Sequence, residues 1–221
     1  MIEASVTPLG GQPIAGTFVI DIGSGGGLAL TSPFNAAHRL PGAGDTTIGA
    51  IGVAGAGGEG SGRFGRVAAL RIGQRTLPRP LTLFSADTVG AFATRAYDGN
   101  IGYDILRRFR LFLDYAHDRI VFEPVAGFDA PFDRASTGMT FGTAPGDFHA
   151  FTVTGVLEHT PAAEAGIRAG DEIAAIDGRP AAELTLTGII DLFERPVRRT
   201  LSLRRGGDTL TIPITPRILV P

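Results

Sequence analysis

Phe18-Val19-Ile20-Asp21-Ile22-Gly23-Ser24 sets one carboxylate at the end of an apolar run and follows it at once with a turn. Thr17 to Ile20 is β-branched and aromatic, which predicts a strand ending at Asp21-Ile22-Gly23. A glycine at position 23 lets the chain turn and lets backbone N–H groups approach the carboxylate. About eighty residues later comes Asp98-Gly99-Asn100-Ile101-Gly102-Tyr103-Asp104-Ile105-Leu106-Arg107-Arg108-Phe109. It joins an apolar–Gly step to one short helix predicted over 104–109, with Ile105, Leu106 and Phe109 on one face.

Around these two stretches the pattern is mostly β. Ile2-Glu3-Ala4-Ser5-Val6 alternates like a strand, and Val67 to Ile72 predicts another, followed by a Gly73-Gln74 turn and Leu81-Thr82-Leu83-Phe84. Leu111 to Tyr115 and Ile120 to Phe122 flank Ala116-His117-Asp118-Arg119 and read as a hairpin. Residues 1–125 therefore form one β-rich region, and the Pro- and Gly-bearing stretch 126–136 reads as a linker. Residues 137–221 change character. Strands are expected over 151–157 and 172–176, the second ending in an Asp177-Gly178 turn, and a final hairpin turns at Gly206-Gly207. Thr160-Pro161-Ala162-Ala163-Glu164-Ala165-Gly166 reads as a short helix with Thr160 as N-cap and Gly166 closing it, and 187–193 as a second helix.

Composition removes several classes. There are 32 glycines in 221 residues, about twice the usual ~7%, without a three-residue period, so collagen is excluded. All 20 basic residues are arginine, so a Walker P-loop, a Ser–Lys dyad and a Schiff-base lysine are impossible. Absence of cysteine excludes thiol nucleophiles and cysteine-ligated zinc. Counting from Gly23 and Gly25, the third position of a G-x-G-x-x-G loop is Leu28, so the dinucleotide spacing fails. Neither G-x-S-x-G nor H-E-x-x-H occurs, and His38, His117, His149 and His159 are scattered among turn residues. Residues 1–125 hold 11 Arg against 10 acids and residues 126–221 hold 9 against 12, without the basic footprint of a nucleic-acid binder. No apolar run approaches the ~20 residues of a membrane span. No cofactor or metal site is expected.

The two stretches quoted first, taken together, resemble a retropepsin-like aspartic protease lobe of the kind found in bacteria fused to a PDZ domain. The family pattern is apolar-apolar-Asp-Thr-Gly-Ala/Ser, a glycine-rich flap hairpin, then apolar-Gly-x-Asp-x-Leu-x-x-Phe and a further hairpin. The resemblance covers nearly all of 1–125. It implies a closed β lobe in which Asp21, with Gly23 and Ser24 of its loop, is catalytic, and a flap within Ile51 to Gly65. Two readings of Asp21 stand, this one and an Asx-turn aspartate capping a strand end. The glycine run likewise reads as flap or as plain surface loop. One departure is clear: Ile22 stands where the family has Thr, whose hydroxyl ties the two active-site loops of a dimer together.

The chemistry implied needs two carboxylates sharing one proton, one as base on a water and one as acid. This sequence supplies one. The resemblance therefore implies a second protease-like lobe, either a second copy or an upstream domain, and a protein or peptide substrate. The strand-like start at Ile2 fits a piece cut from a longer parent. If that parent carries an upstream signal segment, the periplasm or cell envelope is the expected compartment.

Val156 to Ile167, running on through Arg168-Ala169-Gly170-Asp171-Glu172-Ile173 to Asp177-Gly178, resembles a protease-associated bacterial PDZ domain. Gly138-Met139-Thr140-Phe141 falls where that family has its carboxylate-binding loop. The resemblance implies that the Met139, Thr140 and Phe141 amides bind a peptide C-terminus, with the peptide lying between 140–143 and the 187–193 helix. Thr140 replaces the loop's second glycine. Internal docking is the competing use of such a domain. The expected fold is thus mainly β: a retropepsin-like closed lobe with one short helix, then an α+β PDZ domain with two helices.

Overall fold

The computed structural model describes residues 1–50, 54–55, 58–144 and 146–221. The fold is mainly β, as expected, and divides into two compact units. The first is Met1–Ala50 and Ala54–Phe132 with Val220, and the second is Asp133–Leu219 with Pro221.

The first unit runs β1 (Ile2–Thr7), β2 (Ile14–Asp21), β3 (Leu28–Leu30), α1 (Ser32–His38), β4 (Ile48–Gly49), β5 (Ala54–Gly55), β6 (Gly58–Glu59), β7 (Gly62–Arg66), β8 (Ala69–Ile72), β9 (Arg75–Pro78), β10 (Leu81–Ser85), β11 (Gly99–Gly102), α2 (Tyr103–Leu106), β12 (Phe109–Asp114) and β13 (Arg119–Pro124). Nine strands join in the order β4-β7-β10-β3-β11-β2-β1-β8-β9. Alternation drives this: Ala4, Val6, Phe18, Leu28, Leu30, Leu70, Ile72 and Ile101 all turn into one core. Fully burying each large aliphatic or aromatic side chain contributes about 1.5–3 kcal/mol.

The centre of the sheet matters most. Strand β11 lies parallel to β2, with Gly102 opposite Asp21, and antiparallel to β3. Parallel neighbours need a long crossover, and here the 77 positions 22–98 lie between them. A Cβ on Gly102 would sit 2.3 Å from the Gly26 carbonyl oxygen, so the apolar–Gly step is a point of backbone contact.

Helix α2 stops at Leu106, three residues short of the predicted end. Phe109 is buried and belongs to β12, packed edge-on against Phe122 and Phe128. Tertiary burial overrides the helical spacing there. The first unit also has a helix beyond the single one expected. In α1, Thr31 is the N-cap and accepts from the Phe34 N–H, with proline inside the first turn. Residues 126–132, read as linker from composition, are tied down. The Arg108 guanidinium donates to the Phe128, Ala130 and Pro131 carbonyls and lies 3.5 Å from the Phe132 ring centre.

The second unit runs β14 (Met139–Ala144), β15 (Asp147–Val156), α3 (Pro161–Glu164), β16 (Glu172–Ile176), β17 (Arg179–Pro180), α4 (Leu186–Phe193), β18 (Arg199–Arg205) and β19 (Asp208–Ile214). Its sheet has the order β14-β15-β16-β18-β19, with β17 on β16, so β14 is an edge strand. The core holds Phe151, Val153, Ile173, Ile176, Ile189, Leu201 and Leu203. Asp177 and Gly178 both take positive φ, as do Gly206 and Gly207, which is what tight two-residue hairpins require. Thr160 precedes α3 but does not cap it with its side chain. Its hydroxyl donates to the Leu157 carbonyl at 2.7 Å. Helix α4 starts one residue earlier than predicted, behind a Thr185 side chain that accepts from the Gly188 N–H.

Candidate functional site

Asp21 is the last residue of β2 and is half-buried. Its Oδ1 accepts the Gly23 N–H at 2.9 Å and the Ser24 N–H at 3.2 Å. Its Oδ2 accepts the Asn100 side-chain amide at 2.9 Å. The following loop is stitched to the end of β11. The Ser24 carbonyl accepts from Tyr103 N–H at 2.7 Å, Gly26 from Asp104 at 3.1 Å and Gly27 from Gly102 at 2.7 Å. Three neutral donors thus fix a carboxylate at a strand end that solvent reaches. The structure brings all three residues expected here together, with Gly23 and Ser24 acting through backbone N–H groups.

Asn100 was not expected. The register supplies the reason for it: β11 runs beside β2, which sets Asn100 opposite Val19, one step from Ile101 opposite Ile20. With Ile101 fully buried, the neighbouring residue turns to the other face. Its Oδ1 is buried and has no hydrogen-bond partner among the described residues. Ile22 lies beside the carboxylate with 72% of its surface exposed.

Of the flap expected within 51–65, residues 51–53 and 56–57 lie outside the described residues. On either side of the latter, β5 and β6 pair antiparallel, and β7 joins the main sheet between β4 and β10.

In the second unit, Gly138 has φ +78°, and a Cβ there would overlap the Thr160 side chain at 2.3 Å. Glycine is therefore required at the head of the proposed loop. The Gly138 N–H donates to Ser136 Oγ at 3.1 Å, and Met139 reaches Thr137 Oγ1 at 3.4 Å. The Thr140 hydroxyl accepts from Thr154 Oγ1 at 2.9 Å, so its side chain points back to β15. Phe141 meets Phe193 of α4 edge-on, with ring centres 5.9 Å apart. Leu186 and Ile190, one turn apart on α4, stay 39% and 41% exposed. Met139, Thr140 and Phe141 thus lie in order along β14, an edge strand among the described residues, with Gly138 just before it, next to a helix with an apolar exposed stripe.

Among the described residues, no group of His, Asp or Glu has the arrangement of a metal site, and no helix is long and apolar enough to cross a membrane.

A family profile described as "PDZ domain" matches residues 152–205, about a quarter of the chain, and the second unit is accordingly a PDZ domain. No curated protein sequence matches the chain. Similar solved structures include a photosystem II D1 C-terminal processing protease, at 24% identity and a TM-score of 0.36. That match covers 40% of this chain and 24% of the processing protease, so the chain spans about a quarter of its length. An HtrA3 PDZ domain bound to a phage-derived ligand matches at 24% identity over 38% of this chain and 86% of that one, with a TM-score of 0.35. A retropepsin-like aspartic protease from Rickettsia conorii matches at 16% identity over 55% of this chain and 79% of that one, with a TM-score of 0.36.

Proposed function

We propose that this chain is an aspartic-type peptidase lobe with a PDZ module that binds peptide C-termini. The observation that carries the reading is Asp21: a half-buried carboxylate held at both oxygens by neutral donors, at the end of a strand buttressed by β11. Its loop geometry is an Asx turn, which alone would be structural. The Asn100 clamp on the other oxygen adds what a simple turn does not need.

In the assembled enzyme a second carboxylate from another lobe faces Asp21, and the pair holds one proton. The ionised member takes a proton from water as the oxygen bonds to the peptide carbonyl carbon. The protonated member then gives its proton to the departing amine as the C–N bond breaks. The PDZ module holds substrate by adding its C-terminal segment as a strand on β14. The peptide carboxylate meets the Met139, Thr140 and Phe141 amides, and apolar side chains lie over Leu186 and Ile190. In this reading the lobe is residues 1–125 and the PDZ domain 137–221, while the two compact units divide between Phe132 and Asp133.

The test is peptide cleavage by purified protein in a dimeric or longer form. Activity should vanish in Asp21→Asn and in the presence of a statine-type transition-state mimic. Cleavage surviving that substitution would sink the reading. For the PDZ module, a fluorescent peptide with a free C-terminus should bind and its C-terminal amide should not.

Ile22 favours a second reading. With no hydroxyl and a 72% exposed side chain, it cannot supply the cross-lobe hydrogen bond of a threonine. A lobe of this kind serves as an inactive scaffold that presents the PDZ domain. It predicts peptide binding without turnover in every assembled form, and an Ile22→Thr variant that gains cleavage would single out this residue as the cause.

A further inference from the structure

The two oxygens of Asp21 are not equivalent. Oδ1 accepts the Gly23 and Ser24 N–H groups, backbone donors that cannot turn into acceptors. A proton on Oδ1 would compete with both of them, so a proton bound by Asp21 belongs on Oδ2. There the Asn100 side-chain amide donates at 2.9 Å. Once protonated, Oδ2 gains a hydrogen to donate, and Nδ2 of Asn100, a donor only, cannot accept it.

Asn100 has the means to follow that change. Its own Oδ1 is buried with no hydrogen-bond partner among the described residues. Such buried orphans are few in native proteins, and each calls for a reason. A half-turn about the last torsion of an asparagine, which is sterically two-fold, would exchange Nδ2 for Oδ1 in front of Asp21. Because nothing described holds the far end, that turn breaks no other hydrogen bond. Asn35 shows the contrary arrangement. Its Oδ1 is also without a partner, but its Nδ2 donates to the Leu30 carbonyl at 3.3 Å and the Ser85 carbonyl at 3.0 Å. Those acceptors are backbone groups that never change, so Asn35 fits one way round. Asn100 faces a single group, and that group titrates.

We propose that Asn100 is a positioning residue that holds Asp21 in both of its protonation states by turning its side-chain amide over. Nδ2 donates to the carboxylate, and after the half-turn Oδ1 accepts from the carboxylic acid. The inference rests on the peptidase reading for its purpose, because that chemistry alternates the two states. Ionised Asp21 takes a proton from water, and protonated Asp21 gives one to the departing amine. A backbone or cationic donor in place of Asn100 would serve only the first state. The titratable groups on the neighbouring elements have other partners. Asp98, just before β11, accepts the Thr17 N–H at 2.8 Å, and Asp104 of α2 pairs with Arg107 at 3.0 Å. Asp21 itself makes no ion pair among the described residues.

Nuclear magnetic resonance of the full chain, isotopically labelled in asparagine, tests this without requiring turnover. As Asp21 titrates, the Asn100 Cγ signal should move downfield, as for a carbonyl that begins to accept a hydrogen bond. The Nδ2 protons should move upfield in the same step. Both changes should be absent in Asp21→Asn, which keeps Asp98 and Asp104. Nδ2 protons that shift beside a stationary Cγ signal overturn the proposal, as does a step that survives in Asp21→Asn. In an assembled, active form, Asn100→Leu should lower kcat roughly tenfold and leave KM unchanged, since the group it orients acts after substrate is bound. Its thermal midpoint should not fall, because the substitution also removes a buried orphan acceptor. A fall in stability with kcat intact would make Asn100 a structural residue only. If Asn100→Leu fails to fold, the titration of the unaltered chain still decides. An Asn100 that does not turn, in a chain that cleaves through Asp21, removes this inference and leaves the peptidase reading. A turning Asn100 in a chain that never cleaves keeps the amide and removes that reading.

Discussion

Asp21 in the first unit and Asp171 in the second both have their two carboxylate oxygens engaged, but by opposite kinds of donor. Asp171 is 1% exposed and receives both ends of the Arg205 guanidinium, Nε at 2.6 Å and Nη2 at 2.7 Å, plus the Arg168 N–H at 2.9 Å. The Arg205 hydrogen bonds hold its carboxyl below the usual range, against the opposing effect of burial, with help from the Arg168 N–H. Asp21 is half-buried, and all its donors are neutral. A carboxylate neutralised by a bidentate cation is committed to structure. Asp21 is instead held by hydrogen bonds from uncharged groups and reached by solvent.

The largest expected effect tests the first half of that contrast. In an assembled, active form, Asp21→Asn should lower kcat/KM by about 100- to 10,000-fold, the range of a lost general acid or base. Thermal unfolding of the PDZ unit and its peptide affinity should stay unchanged. Arg205→Ala should do the opposite. It strands a buried carboxylate and should lower the urea midpoint of the PDZ unit.

Acid sharpens the same comparison. The folded pKa of Asp171 lies below its unfolded value, so its contribution is fully present above the ordinary carboxylate value of 3.8. It is lost as pH falls from there through the lowered value. Urea midpoints of the PDZ unit should therefore hold steady from neutrality down to about pH 5 and decline below ~4, with a shallower decline in Arg205→Ala. A smaller effect concerns the backing of Asp21. Gly102→Ala forces a Cβ onto the Gly26 carbonyl and should destabilise the first unit by about 1–3 kcal/mol. Peptide binding by the PDZ unit should be indifferent to it. Smallest is Thr185→Ala, which removes the α4 N-cap and should cost the PDZ unit about 1 kcal/mol.

Much of this contrast was legible in the sequence, for local reasons. The PDZ hairpins are written in Asp177-Gly178 and Gly206-Gly207, because only certain residues take positive φ cheaply, and the turn after Asp21 in Gly23, where a Cβ would come within 3.2 Å of the carboxylate. Strand β16 follows directly from its apolar residues and its turn. What local pattern does not carry is which strand lies beside which. Asn100 reaches Asp21 only because β11 inserts between β2 and β3, a non-local pairing. The end of α2 was misplaced for the same kind of reason, since Phe109 answers to Phe122 and Phe128 rather than to the helix before it. Helix α1 is a different case. Its Thr31 cap and early proline were in plain view, but seven residues give too short a periodic signal to stand out beside glycine-rich neighbours.

The parallel ladder between β2 and β11 also fixes an order of events. Asp21 and Asn100 are separated by 79 positions, and pairings so distant along a chain form late because the loop between them must first be closed. A chain emerging from the ribosome would display the aspartate turn long before the strand that orients it exists. The carboxylate would have both oxygens held only after Asn100 has been made, a built-in delay between synthesis of the aspartate and its fixing in place.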